Sequence, residues 1–241
     1  MSGADWSGRL RALGRAVLGA RALPLIDRLG RSDPRWTTFV AAMEYLDFEG
    51  VDGDILECGV FGGVSLALLA RAASFGAGRR AIGVDTFTGL PEPTESHAVW
   101  KKGDCAAMHA PHPLVGLGEP VTMDVTRRLF EQCGLPPPVL YQGWFAEVLP
   151  TVVPREVPAV ALLHVDCDLY ESTRDALAGA APALQDGTMV LFDDWFHYKG
   201  HPRRGEARAF REFLDAHPEW EAVHWRQYAT FCNAFILSRR A

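Results

Sequence analysis

Four aspartates in two tight groups, Asp166-Cys167-Asp168 and Asp193-Asp194, carry the clearest chemical signal in this chain. Each group closes an apolar run, one starting at Ala159 and one at Gly187. Runs of that length, rich in Val and Leu, read as buried strands, so both acidic groups stand at the carboxyl ends of strands. In a parallel α/β sheet those ends share one edge, and ligands bind along it. Carboxylates gathered there repel one another and hold protons unless a cation compensates. Mg2+ suits the task, being hard, octahedral and content with a few carboxylates plus water and substrate oxygens. The stretch Asp168-Leu-Tyr-Glu171 has the spacing of a capping box opening the next helix. That assigns Asp168 to structure and leaves Asp166, Asp193 and Asp194 as metal ligands.

A second constellation lies earlier. Glu57-Cys-Gly59-Val-Phe-Gly62-Gly63 follows an apolar run and precedes a helical pattern. Glycines at a strand-to-helix turn let the backbone bend sharply and let a ligand approach without Cβ collisions. The dinucleotide spacing G-x-G-x-x-G is absent, so the expected ligand has no pyrophosphate. Ser65, just inside the helix, can offer its hydroxyl and N–H to a carboxylate, which the helix amino terminus favours. Asp85 ends the next apolar run, where an acid accepts hydrogen bonds from a ribose diol. Glu57, Gly59, Gly62, Ser65 and Asp85 thus outline a site for a nucleoside-bearing cofactor. Two other readings use the same residues: an NAD(P)-dependent oxidoreductase, and a cofactor-binding subunit without catalysis. The first lacks its glycine fingerprint and a Tyr-x-x-x-Lys pair; the second would not need all four acids.

The elements that position these residues follow from periodicity. Strands are expected over 53–60, 80–85, 139–142, 159–166 and 187–193, with helices over 37–48, 63–71, 125–133, 172–184 and 205–216. Strand and helix alternating at this spacing build right-handed βαβ units, a Rossmann-like parallel sheet with helices on both faces. Two further β-rich runs, 220–227 and 230–237, are joined too closely for a crossover and must pair antiparallel. The whole chain, 1–241, reads as one domain. Residues 1–50 form a helical extension, with a basic amphipathic helix over 6–29, and aperiodic residues 92–120 form a lid.

The formal net charge is −6, which gives no pull toward nucleic acid or an anionic membrane. No run is apolar enough to span a bilayer. The five scattered cysteines, none in a CxxC pair, fit reduced thiols in a cytoplasm. His109 and His112 flank a proline and have no cysteine or acid beside them, which argues against zinc. His197, in the loop after Asp194, is a candidate proton acceptor.

Several segments resemble the macrocin O-methyltransferase family, whose members methylate sugar hydroxyls of macrolide antibiotics: 53–65, 83–91, 142–150, 164–173 and 192–195. The resemblance implies a class I methyltransferase fold, with a seven-stranded, mostly parallel sheet and an antiparallel last strand. It implies S-adenosylmethionine and Mg2+ as cofactors, a small-molecule hydroxyl acceptor such as a glycosylated natural product, and a homo-oligomer. Carried over by residue, it gives Asp166, Asp193 and Asp194 to the metal, makes Asp166 the base, and puts Gly143 and Trp144 near the adenine. His197 stays open as the alternative base. S-adenosylhomocysteine should therefore raise the melting temperature while NADH does not; equal stabilisation by NADH would reject the cofactor reading.

Overall fold

The central strands explain why the sheet is where it is. In the computed structural model, which describes residues 24–240, β1 (Asp54–Cys58) and β4 (Val160–Val165) are buried along their whole length. Strands hidden on both faces must be continuously apolar, as in parallel sheets sandwiched by helices. Around them stand β2 (Ala81–Asp85), β3 (Val139–Gln142) and β5 (Leu184–Phe192). The order is β3-β2-β1-β4-β5-β7-β6, with β1 to β5 parallel. The closing hairpin, β6 (Trp220–Tyr228) and β7 (Cys232–Arg239), is antiparallel, and β7 inserts between β5 and β6. This is the seven-stranded class I methyltransferase arrangement expected from the sequence.

Two apolar layers cover the sheet. On one face pack α2 (Trp36–Glu49), α3 (Val64–Ala73) and α4 (Met123–Gln132), through Phe39, Leu46, Leu66, Leu69 and Phe130. The shorter α1 (Leu25–Ser32) joins them through Ile26. On the other face lie α5 (Phe145–Glu156), α6 (Tyr170–Ala180) and α7 (Gly205–Ala216), anchored by Leu149, Leu177, Phe210 and Phe213.

The helix α5 was not anticipated. Pro150 and Pro154 lie inside it, and each removes a backbone donor. Burial of Leu149, Val152 and Val153 outweighs that loss. The helix expected over 172–184 ends earlier, and a single 3-10 turn (Ala181–Ala183) leads into β5. The expected helix over 6–29 lies outside the described residues except at its end. Residues 92–120 contain no helix or strand, only an isolated bridge between Ala107 and Pro120. Among the described residues, no helix is long and apolar enough to cross a membrane.

Phe210 is 2% exposed and meets Phe192 at 4.9 Å and Phe235 at 5.1 Å between ring centroids. Phe210→Ala should therefore cost about 3–5 kcal/mol. It should lower the urea midpoint without changing the slope, and a loss near zero would mean that α7 does not share the core.

Candidate active site

The glycine turn and the acidic strand ends meet because β1 and β4 are neighbours. Gly59 has φ +92°, and a Cβ there would lie 1.7 Å from the Asp166 carbonyl oxygen. Its first duty is therefore to let the ends of β1 and β4 come together. A Cβ on Gly62 would meet His112 Cδ2 at 2.9 Å and Met108 Cε at 3.0 Å, so that glycine makes room for residues of the 92–120 segment. Asp85 also serves the turn. Its Oδ2 accepts from the N–H groups of Val60 (2.8 Å) and Phe61 (2.9 Å), and its Oδ1 accepts from Phe87 N–H (2.7 Å). Three of roughly four carboxylate acceptor positions are thereby used before any ribose hydroxyl arrives.

Above this turn opens a cavity of about 760 Å³, within the usual range for small-molecule sites. Gly59, Gly62, Ser65, Asp85 and Trp144 line one part of it, and Asp166, Asp193 and Asp194 another. Trp100, Met108 and His109 of the 92–120 segment line it as well. That segment is pinned on both sides. Thr94 donates from its N–H and hydroxyl to Glu171 (2.7 and 3.1 Å), Glu95 accepts from Arg208 (3.1 Å), and His112 Nε2 contacts Gly62 O (3.1 Å).

Three of the expected residues stand outside the cavity wall. Gly143 lies next to Trp144 and bonds through its N–H to the Asp85 carbonyl (2.9 Å). Glu57 is fully buried behind the wall, where its Oε1 meets His164 Nδ1 at 2.8 Å. His197 sits behind Asp194, with Nε2 3.4 Å from Asp194 Oδ1 and its ring against Phe231.

Asp168 corrects the capping-box reading. The residue preceding α6 is Leu169, and among the described residues no side chain caps the helix. Asp168 instead adopts φ +62° and lines the cavity with the other acids, its N–H donating to Asp194 Oδ2 (3.2 Å). Glu171, the other half of the expected box, accepts from Thr94 instead.

Two residues that the sequence did not single out control the charge here. Arg35, just before α2, donates through NH1 to Asp193 Oδ1 at 3.1 Å and lies 3.4 Å from Asp166 Oδ2. His164 pairs in register with Glu57 on β1, and its Nε2 faces Asp193 Oδ1 at 3.7 Å with no hydrogen-bond partner among the described residues. Burial lowers the His164 pKa, but Asp193 and Glu57 outweigh it and push it up to about 10. Burial raises Asp166 and Asp168, reinforced by their acidic neighbours. Burial and Asp193 together push Asp194 up to about 7. Asp193 is the exception: Arg35 and His164 overcome its burial and hold it below the usual carboxylate range.

Comparison with known proteins agrees with this architecture. The model of the macrocin-O-methyltransferase (TylF) family matches residues 23–227. The chain belongs to that family. One relative, the 8-demethyl-8-(2,3-dimethoxy-alpha-L-rhamnosyl)-tetracenomycin-C 4'-O-methyltransferase of Streptomyces olivaceus, is 34% identical over 61% of this chain and 54% of its own length. Another, the mycinamicin III 3''-O-methyltransferase of Micromonospora griseorubida, is 31% identical over 75% of this chain and 71% of its own. The chain thus spans only about half the length of the first of these. Among solved structures, the O-methyltransferase NovP superposes with a TM-score of 0.63 at 25% identity, over 86% of this chain and 80% of that one.

Asp194 gives this macrocin-O-methyltransferase family member a pH signature. Its folded-state pKa of about 7 lies above the unfolded value, so its contribution is stabilising when protonated and is lost as pH rises from about 4 to 7. In EDTA, Asp194→Asn should flatten the fall in melting temperature across that window. A wild-type slope that survives the substitution would place the titration elsewhere.

Proposed function

We propose that the protein transfers the methyl group of S-adenosylmethionine to a hydroxyl, a sugar hydroxyl of a glycosylated small molecule, with Mg2+ as the assisting ion. The observation that carries this is a single cavity with a glycine turn, helix amino terminus and Asp85 at one part and an acidic cluster at another. The relatives methylating 4' and 3'' oxygens support the acceptor class.

The residues fit both groups. For the cofactor, the amino terminus of α3 with Ser65 suits a carboxylate, the open acceptor position on Asp85 suits a ribose hydroxyl, and the half-exposed Trp144 offers a flat face to a base. For the cation, His164, Asp166 and Asp193 offer ligand atoms within 4.8 Å of one another, and Asp194 lines the wall beside them. Buried acids with raised pKa values mark a surplus of negative charge that a divalent ion would neutralise. Among these, Asp166, Asp193 and Asp194 would hold the ion, and His164, hydrogen-bonded to Glu57, would orient Asp193 from behind.

S-adenosylmethionine supplies a methyl group made electrophilic by its sulfonium. Mg2+ supplies Lewis acidity that lowers the pKa of an acceptor hydroxyl. The chain does the rest. With the cofactor and acceptor bound, methyl transfer would release the hydroxyl proton, and a carboxylate lining the cavity would take it. Asp166 or Asp168 takes that proton; both line the cavity, whereas His197 does not. Trp100, Met108 and His109, which line the cavity, would exclude water and hold the two reactants close.

Turnover should vanish in EDTA and return with Mg2+, and Asp193→Asn should abolish metal binding while leaving S-adenosylhomocysteine affinity nearly unchanged. If Asp168 is the group that takes the proton, Asp168→Asn should lower kcat by about 10²-fold or more without destabilising the fold. Full activity in EDTA would defeat the metal reading, and full activity of Asp168→Asn would return Asp168 to a structural role.

A further inference from the structure

Arg35 is firmly held at the acidic cluster, yet the proposed reaction gives it no task. It stands at the junction of α1 and α2 and bonds in two directions. Toward its own segment, Nε donates to Asp33 Oδ1 (3.1 Å) and NH2 to Asp33 Oδ2 (2.9 Å). The Arg35 backbone N–H also donates to Asp33 Oδ1 (2.8 Å). Toward the site, NH1 reaches Asp193 Oδ1 (3.1 Å) and Asp166 Oδ2 (3.4 Å). The side chain is only 17% exposed, so water screens these contacts poorly.

A guanidinium is permanently charged and carries its donors in a fixed plane. Here that plane places a positive charge between two carboxylates that, on the reading above, hold a divalent cation. Mg2+ sits about 2.0–2.1 Å from its oxygen ligands, closer than any N–H donor can approach. Two cations sharing the same pair of oxygens in a shielded site repel strongly. One of them must move. Asp33 gives the guanidinium a second partner, so it can leave the acids without losing all its hydrogen bonds.

We propose that Arg35 is a built-in counter-cation that holds Asp166 and Asp193 together until a divalent ion displaces its guanidinium from them. The inference rests on the metal reading above. It makes Arg35 a positioning residue that sets how tightly the ion binds. It also couples ion loading to the α1–α2 junction, because the same guanidinium ties that junction to the strand ends.

The test uses the full chain and Mn2+, which favours the same oxygen ligands and is visible by electron paramagnetic resonance. Arg35→Gln should bind Mn2+ at least about tenfold more tightly than wild type, since a competing charge is gone. In EDTA the variant should melt below wild type, and saturating Mn2+ should close that gap. Equal or weaker Mn2+ affinity in the variant would overturn the inference and leave the metal reading standing. No Mn2+ binding by either protein would overturn both. A second measurement needs no variant and serves if Arg35→Gln does not fold. Labelling of wild-type Arg35 by a glyoxal reagent, read by peptide mass mapping, should be faster with Mn2+ than in EDTA. Unchanged or slower labelling would overturn the inference.

Discussion

Like charges brought to one edge of a sheet are the constraint around which this protein is organised. Strands β4 and β5 run parallel and side by side, so Asp166, Asp168, Asp193 and Asp194 all emerge at the same carboxyl edge. Their mutual repulsion in a site shielded from water would open that edge unless positive charge met it. The structure supplies two such charges from different places. Arg35 enters from the segment before α2, and His164 rises from within β4 itself. The uneven result, with Asp193 held ionised and its three neighbours driven toward protonation, follows because Asp193 alone of the four meets both groups, whereas Asp166 meets only Arg35, at 3.4 Å, and stays raised by burial and Asp193.

The same edge explains the glycine turn. Gly59 is needed because the carbonyl of Asp166 occupies the space of a Cβ, and Gly62 because the 92–120 segment descends onto it. Both positions that read from sequence as ligand clearance are clearances between parts of the protein. They still shape the cofactor site, since a turn held tightly by Asp85 presents the start of α3 in a fixed orientation. Packing and function are served by one set of contacts here.

The segment over the cavity shows a related economy. Glu171, the first-turn acid of α6, gives both carboxylate oxygens to Thr94, while Glu95 ties the neighbouring stretch to α7. A loop without regular secondary structure must place its polar groups somewhere, and here Glu171 of α6 accepts from the Thr94 N–H while Arg208 of α7 donates to the Glu95 carboxylate. The loop is thereby positioned over the acids and the glycine turn together.

Local sequence alone determined the strands, most helices, the antiparallel hairpin and the acidic strand ends, because period-two and period-3.6 burial are properties of consecutive residues. Asp166, Asp193, Asp194, Gly59, Gly62, Ser65 and Asp85 were legible for that reason. The helix α5 was not, since Pro150 and Pro154 oppose it locally and only the core beneath Leu149 and Val153 makes it favourable. Nor could Asp168 be separated from a helix cap, because a left-handed turn and a cap have the same residue types. Arg35 and His164 lay furthest from view. Arg35 is 131 residues from Asp166 in the chain, and Glu57 is 107 from His164. Such pairings have no periodic trace, and only the strand order and the docking of the α1–α2 junction bring them together.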